Sequence, residues 1–241
     1  MINIVIPMAG EGSRFAKAGY KKPKPFIDVD GEPMIIKVLK NLSHPNAKYI
    51  LIIRKDHMEK ELETVKNIEK NYNVSFISID KLTEGAACTI LHARKYINND
   101  DPLIIANSDQ IIDINIREFV DDCNERDLDG SILTFIDKHK DPKWSFAKID
   151  KNNLVCEVKE KTVISKYATA GVYLFSKGKD FINSSLDMIV NNDRVNNEFY
   201  TCPTFNYAIK NNLKIGIYNI HVGQMHGIGS PEDLNSYLKI I

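Results

Sequence analysis

The first fifteen residues constrain the fold of this chain more than any other stretch. Residues 3–7, NIVIP, form a short and almost wholly apolar run, the pattern of a strand buried on both faces. The run leads directly into MAGEGSRF at 8–15, which sets Gly10 and Gly12 beside Ser13 and Arg14. Glycines let a backbone turn sharply and let a ligand come close. The N–H groups of such a loop can then cradle phosphates. Arg14 adds a planar cationic fork, and Lys24, between Pro23 and Pro25, adds a mobile point charge. Two better-known phosphate motifs are absent. The third glycine of a G-x-G-x-x-G fingerprint would fall on Phe15, and no Gly-Lys-Ser/Thr follows. A plain surface turn would explain two glycines, but not Arg14 and Lys24 in the same connection.

Beyond this loop, apolar runs at 49–53, 74–79 and 103–106 alternate with amphipathic stretches at 33–42, 56–72, 85–96 and 115–126. Strands separated by helices predict βαβ units and a largely parallel sheet. The pattern then changes. Residues 130–135, 145–149, 154–158 and 168–175 read as strands with few helices between them. Helices at 177–190 and 198–210, a strand at 213–218 and a helix at 230–238 complete the chain, the last with Ser230 as N-cap and Pro231 at its first position. No repeat or linker interrupts it. The expectation is one α/β domain whose mixed, mostly parallel sheet is flanked by helices. Residues 1–126 would form a nucleotide-binding half and 127–241 an acceptor-binding half.

Composition removes several classes. Lys and Arg number 32 against 32 Asp and Glu, so the chain is not a basic nucleic-acid binder. Cys88, Cys123, Cys156 and Cys202 are too far apart for a Cys-x-x-Cys zinc or redox motif. No apolar run approaches the ~20 residues of a membrane span, and the N-terminus lacks the pattern of a secretion signal. A cytoplasmic protein with reduced cysteines is expected.

The strings PMAGEGSRF at 7–15, PKPF at 23–26 and VDGEPM at 29–34 together resemble the sugar nucleotidyltransferase superfamily. That resemblance implies a Rossmann-like, glycosyltransferase-A-like fold. It also implies transfer of a nucleotidyl group from a nucleoside triphosphate to a phosphorylated acceptor, with release of pyrophosphate. By the same resemblance Met8, Ala9, Gly10, Glu11, Gly12 and Ser13 line the nucleotide, Arg14 holds its β- and γ-phosphates, and Lys24 bridges the reacting phosphates. Asp109, in ANSDQ after the apolar run 103–106, lies where open α/β sheets bind ligands. An oxygen ligand there suits Mg²⁺ on triphosphate oxygens, although an Asp at that place can also simply cap a turn. Ser108 is expected near the ribose.

DKLTEGAA at 80–87 resembles the family's base-reading segment, which implicates Asp80, Thr83, Glu84, Gly85 and Ala86. Asp80 stands where relatives often carry Gln. A carboxylate only accepts hydrogen bonds, and cytosine offers an amino donor where uracil offers an acceptor. An acidic group there would favour CTP; the alternative is a pair of solvated loop acids. VKEK at 158–161, TAGVY at 169–173 and NEFY at 197–200 resemble the acceptor motifs, implying that Lys161 binds the acceptor phosphate and that Gly171 and Glu198 face the acceptor. Lys161 also fits an exposed strand edge, and Glu198 the first turn of a helix.

One departure stands out. Many relatives carry a second metal-binding Asp two residues before the glycine of G-T-P, and here that position is Gly227. TEGAACT, NSDQ, KWSF and NEFY are similar to a small branch found in capsule-polysaccharide clusters, which implies CMP transfer to a small acceptor such as L-glutamine phosphate. An NDP-sugar pyrophosphorylase using UTP or dTTP and a hexose 1-phosphate is the alternative. A glycosyltransferase would be expected to carry D-x-D, and Asn107 replaces its first carboxylate. The expected partners are the nucleotide and the acceptor, without nucleic acid or membrane; a homo-oligomer is compatible with the sequence.

Overall fold

The computed structural model describes residues 1–241. Its centre is a nine-stranded sheet. Four parallel strands come from the N-terminal part: β1 (Ile2–Pro7), β4 (Ala47–Arg54), β5 (Val74–Ile79) and β6 (Leu103–Ala106), in the order β6-β1-β4-β5. Beside β6 runs the antiparallel β11 (Tyr167–Phe175), which also pairs with β8 (Gly130–Ile136) and β9 (Phe146–Ile149). β10 (Val155–Lys159) extends one edge from β9, and β12 (Ile215–Ile220) pairs parallel with β8. The sheet is thus mixed and mostly parallel, and its helices make the chain a single α/β domain. Two small ladders lie outside it: β2 (Asp28–Val29) with β3 (Glu32–Pro33), and β7 (Gln110–Ile112) with β13 (Met225–Gly227).

Side-chain alternation along the strands fills two cores. Ile4, Ile6, Leu51 and Ile104 point to one face, where α2 (Met34–Asn41), α4 (Leu62–Asn71), α7 (Ile116–Glu125) and α10 (Pro231–Tyr237) contribute Leu39, Ile68, Phe119 and Leu234. Val5, Ile50, Ile52 and Ile105 point to the other, against α5 (Ala86–Leu91), α6 (Arg94–Ile97), α8 (Gly178–Val190) and α9 (Thr204–Lys210), which supply Ile90, Ile97, Phe181 and Phe205. The period of two in β1 therefore serves both layers.

Several element boundaries differ from expectation. The stretch 56–72 is two helices, α3 (Lys55–Lys60) and α4, separated at Glu61, where no glycine or proline marks the break. The stretch 85–96 likewise divides into α5 and α6. The helix expected at 198–210 begins only at Thr204, because Pro203 disfavours helical backbone at the residue before it. Glu198 therefore lies in a loop. The strand expected from 213 begins at Ile215, since Leu213 still caps α9, donating its N–H to Ala208 O (3.1 Å) after Asn212 turns left-handed. Ser230 does cap α10, accepting from Asp233 N (3.1 Å), with Pro231 at the first helical position. No helix is long and apolar enough to cross a membrane.

Candidate active site

Because β1 and β6 are parallel neighbours, their carboxyl ends open side by side into a cleft of about 890 Å³. The whole run 8–14 lines it on one side and residues 107–110 on the other. The backbone N–H groups from Ala9 to Arg14 have no hydrogen-bond partner within the protein. A row of open amides with an arginine beside it is an anion-binding surface. Lys24 enters from a short 3₁₀ turn (Lys24–Phe26) anchored by fully buried Phe26. Its stem packs so closely on the loop that a Cβ at Gly12 would lie 2.9 Å from Lys24 Cβ. The Lys24 ammonium pairs with the Asp109 carboxylate, both side chains about one-fifth exposed.

Asp109 sits in the turn between β6 and β7. β13 returns from far along the chain to pair with β7, and Ile228 N donates to Asp109 O (2.9 Å). Gly229 lies so close that a Cβ there would stand 2.4 Å from Asp109 Oδ2. Ser108 is buried and lines the cleft beside it.

Across the cleft, β11 bulges between Thr169 and Tyr173. Gly171 sits in that bulge with φ +71°, and a Cβ there would reach 1.8 Å from Gln110 Oε1 and 2.5 Å from Asn107 Nδ2. Asn107 N donates to Gly171 O (3.0 Å), joining the Asp109 turn to β11. Below lies a buried polar group. The Ser145 hydroxyl donates to the Glu160 carboxylate, and Tyr173 and Cys202 are close by. Burial pushes the Glu160 carboxyl up, and the nearby Glu198 charge adds to this. Burial likewise raises the Tyr173 hydroxyl and the Cys202 thiol, which stays protonated. Trp144, Glu198 and Tyr200 complete this wall.

A seam joins the two sides. Phe199 N donates to Glu84 O (2.7 Å), and Ala87 N donates to Phe199 O (3.0 Å). Gly85, at φ +127°, permits this contact, because a Cβ would lie 2.5 Å from both N and O of Phe199. Thr83, Gly85, Ala86 and Thr89 then line the cleft.

The structure thus gathers most of the residues singled out from sequence: the run 8–14, Lys24, Thr83, Gly85, Ala86, Ser108, Asp109, Gly171 and Glu198. It leaves three outside the cleft lining. Asp80 is exposed, one residue past the end of β5. The Glu84 carboxylate turns away to pair with Arg194 (2.5 Å), which itself stacks on Phe199. Lys161 is exposed at the rim, where its ammonium donates to the Tyr200 hydroxyl (2.8 Å) and is held above its ordinary pKa by that bond. The sequence reading passed over Thr89, Asn107, Ser145, Tyr173 and Cys202. Some lie within quoted motifs, but only their packing reveals that they share one pocket.

An open sheet with an amide-lined loop after its first strand, and a lysine–aspartate pair across the switch to β6, defines an α/β protein with an anion-binding cleft at the carboxyl ends of its strands. The chain belongs to the nucleotidyl transferase family, whose family model matches residues 4–215. It is 25% identical over 176 residues to the bifunctional protein GlmU of Methanococcus aeolicus, covering 72% of this chain and 40% of that protein. It is 25% identical over 179 residues to the mannose-1-phosphate guanyltransferase of Pichia angusta, covering 71% and 49%. The chain spans about half the length, or less, of these curated relatives. Among solved structures, the nucleoside-diphosphate-sugar pyrophosphorylase of Vibrio cholerae RC9 superposes with a TM-score of 0.81 at 22% identity, covering 98% of this chain and 99% of that one. The inositol-1-phosphate CTP transferase of T. maritima gives 0.75 at 13% identity over 98% and 96%. These likenesses establish the shared fold.

Proposed function

We propose that this protein transfers CMP from CTP to a small phosphorylated acceptor, L-glutamine phosphate, and releases pyrophosphate, acting in the cytoplasm in capsule-modification chemistry. The observation that carries nucleotidyl transfer is the Lys24–Asp109 pair, set between the unpartnered amides of 9–14 and the pocket of Glu160, Gly171 and Tyr200. The family membership supports the same reading. CTP rests on the resemblance of the TEGAACT, NSDQ and NEFY segments to capsule-branch cytidylyltransferases, since Asp80 does not line the cleft. The base would lie against Leu82, Thr83 and Ala86. The acceptor wall offers two carboxylates, Glu160 and Glu198, beside Trp144 and Tyr200, a lining suited to an ammonium group.

The acceptor phosphate is the nucleophile. Its second pKa is about 6, so it is mostly dianionic at neutral pH and needs no general base. One of its oxygens bonds to the α-phosphorus, the bond to the α–β bridging oxygen breaks, and pyrophosphate leaves with that oxygen. In-line displacement inverts the α-phosphorus. The obstacle is the meeting of two anions. The ammonium of Lys24 would move from Asp109 to the reacting phosphates, where fixed positive charge stabilises the transition state most. The amides of 9–14 and Arg14 would hold the leaving pyrophosphate, and Lys161 would meet the acceptor at the rim.

The donor set also fits Mg²⁺. The Asp109 carboxylate is a hard oxygen ligand at the open end of β6, with Ser108 beside it and room for water and phosphate oxygens. Bound there, Mg²⁺ would neutralise charge on the triphosphate. Asp109→Asn should raise the Mg²⁺ concentration needed for half-maximal rate at least about tenfold; an unchanged Mg²⁺ titration would remove Asp109 from the site.

The deciding experiment is pyrophosphate release, with four nucleoside triphosphates crossed against glutamine phosphate, phosphocholine, glycerol phosphate and glucose 1-phosphate. Release with CTP and glutamine phosphate is expected. Release only with UTP or dTTP and the hexose phosphate would make the protein an NDP-sugar pyrophosphorylase and overturn the acceptor and base assignments together.

A further inference from the structure

The turn carrying Gly227 and Gly229 brings a second carboxylate to the floor of the cleft. Asp109 meets this turn from the β6 side, where Gly229 leaves room for it. Asp233 meets it from the first turn of α10. A Cβ at Gly227 would find open space, its nearest heavy atom being Asp233 Cγ at 4.0 Å. The backbone at Gly227 does not have positive φ, so no conformational demand for glycine exists there. What glycine does is keep the space in front of Asp233 clear. Gly227, Gly229, Asp109 and Asp233 all line the same cleft. Asp233 is also without a cationic partner. Its side chain accepts one hydrogen bond, from the Ser230 hydroxyl to Oδ2 (2.6 Å), which leaves Oδ1 open. In the first turn of α10 the Asp233 carboxylate also favours the helix dipole and holds the Ser230 hydroxyl through Oδ2, and both roles leave Oδ1 free toward the cleft.

We propose that Asp233 is the second carboxylate of the Mg²⁺ site, reaching from helix α10 across the space left by Gly227 and acting with Asp109. The proposal rests on the nucleotidyl-transfer reading. Two carboxylates from separate elements, completed by phosphate oxygens and water, make a suitable donor set for a small hard cation. Lys24, which neutralises Asp109 in the free protein, is then released toward the phosphates. The geometry also predicts that the carboxylate can be moved. Gly227→Asp would place a carboxylate in that free space, beside the side chain of residue 233.

Mn²⁺ serves as the probe, its binding followed by electron paramagnetic resonance with a non-hydrolysable CTP analogue present. Asp233→Asn should weaken Mn²⁺ binding about tenfold or more. Adding Gly227→Asp to that variant should restore binding to within about threefold of the parent. Glu232→Gln, on the adjacent exposed residue, should leave it unchanged. Thermal melts of each variant separate loss of a ligand from loss of α10. If Asp233→Asn binds Mn²⁺ like the parent, or if the double variant binds no better than the single one, the assignment is overturned. Pyrophosphate release by the parent protein tests the underlying reading separately, because an active enzyme with unchanged Mn²⁺ binding in Asp233→Asn would sink only the second ligand.

Discussion

Replacing Lys24 with alanine should lower kcat for pyrophosphate release by about a hundredfold to a thousandfold, while the fold survives. At 1.36 kcal/mol per factor of ten, that is about 3–4 kcal/mol of lost transition-state stabilisation. The cost to stability should be smaller. The Lys24 and Asp109 side chains are 18% and 21% exposed, between the surface and buried extremes. Breaking the pair should therefore cost about 1–2 kcal/mol, above a surface pair and below a fully buried one. The two effects separate because, on the proposed mechanism, one ammonium would have two partners in turn: Asp109 in the free protein and the reacting phosphates during transfer. Lys24→Arg tests the same point, since a planar fork cannot take the place of a compact ammonium in so confined a loop. Steady-state rates beside thermal melts decide the matter. A Lys24→Ala enzyme within tenfold of the parent rate would remove Lys24 from the chemistry.

Gly85→Ala should be the most destabilising single methyl addition along the cleft. Its φ of +127° is a region that side chains rarely adopt, and the added Cβ would lie 2.5 Å from the Phe199 backbone. Neither atom it meets can swing away, because both belong to a main chain bonded on each side: Phe199 N to Glu84 O and Phe199 O to Ala87 N. Strain of about 1–3 kcal/mol and weakening of two hydrogen bonds at about 1 kcal/mol each give a loss of about 3–5 kcal/mol. Urea unfolding at equilibrium measures it. The damage should extend beyond stability, because the seam aligns Thr83 and Ala86 with Glu198 and Tyr200. A midpoint equal to that of the parent would show that the seam is not what fixes these two segments. Gly171→Ala would be milder, since the atoms its Cβ meets are the ends of the Gln110 and Asn107 side chains.

The parallel block was readable in advance because buried strands announce themselves by apolar runs, and β1, β4, β5 and β6 all fall where those runs do. The clustering of the glycine-loop residues was equally visible. They lie close together in sequence, and 8–14 and Lys24 do line one cleft. Long-range contacts were not visible. Nothing in the sequence around Glu61 marks the break between α3 and α4. The three-residue strands β7 and β13 are too short to carry a periodic pattern. Asp80 and Lys161 were placed by position within loops, where a shift of a few residues changes which side chain faces a ligand, and both turn out exposed. Ser145 and Glu160 meet through the pairing of β9 with β10, and Cys202 joins them because α9 docks on β10 through Asn206 and the Val158 backbone.

The pairing of β13 with β7 has a consequence for how the protein is made. The turn bearing Asp109 is fastened by Ile228 N and by a strand that begins at Met225, more than a hundred residues downstream. On the ribosome, the amide-rich loop after β1 emerges early. The aspartate turn stays unfastened until the segment around Gly229 has cleared the exit tunnel. The two sides of the cleft are therefore completed at different times, the aspartate side with the last ladder to close.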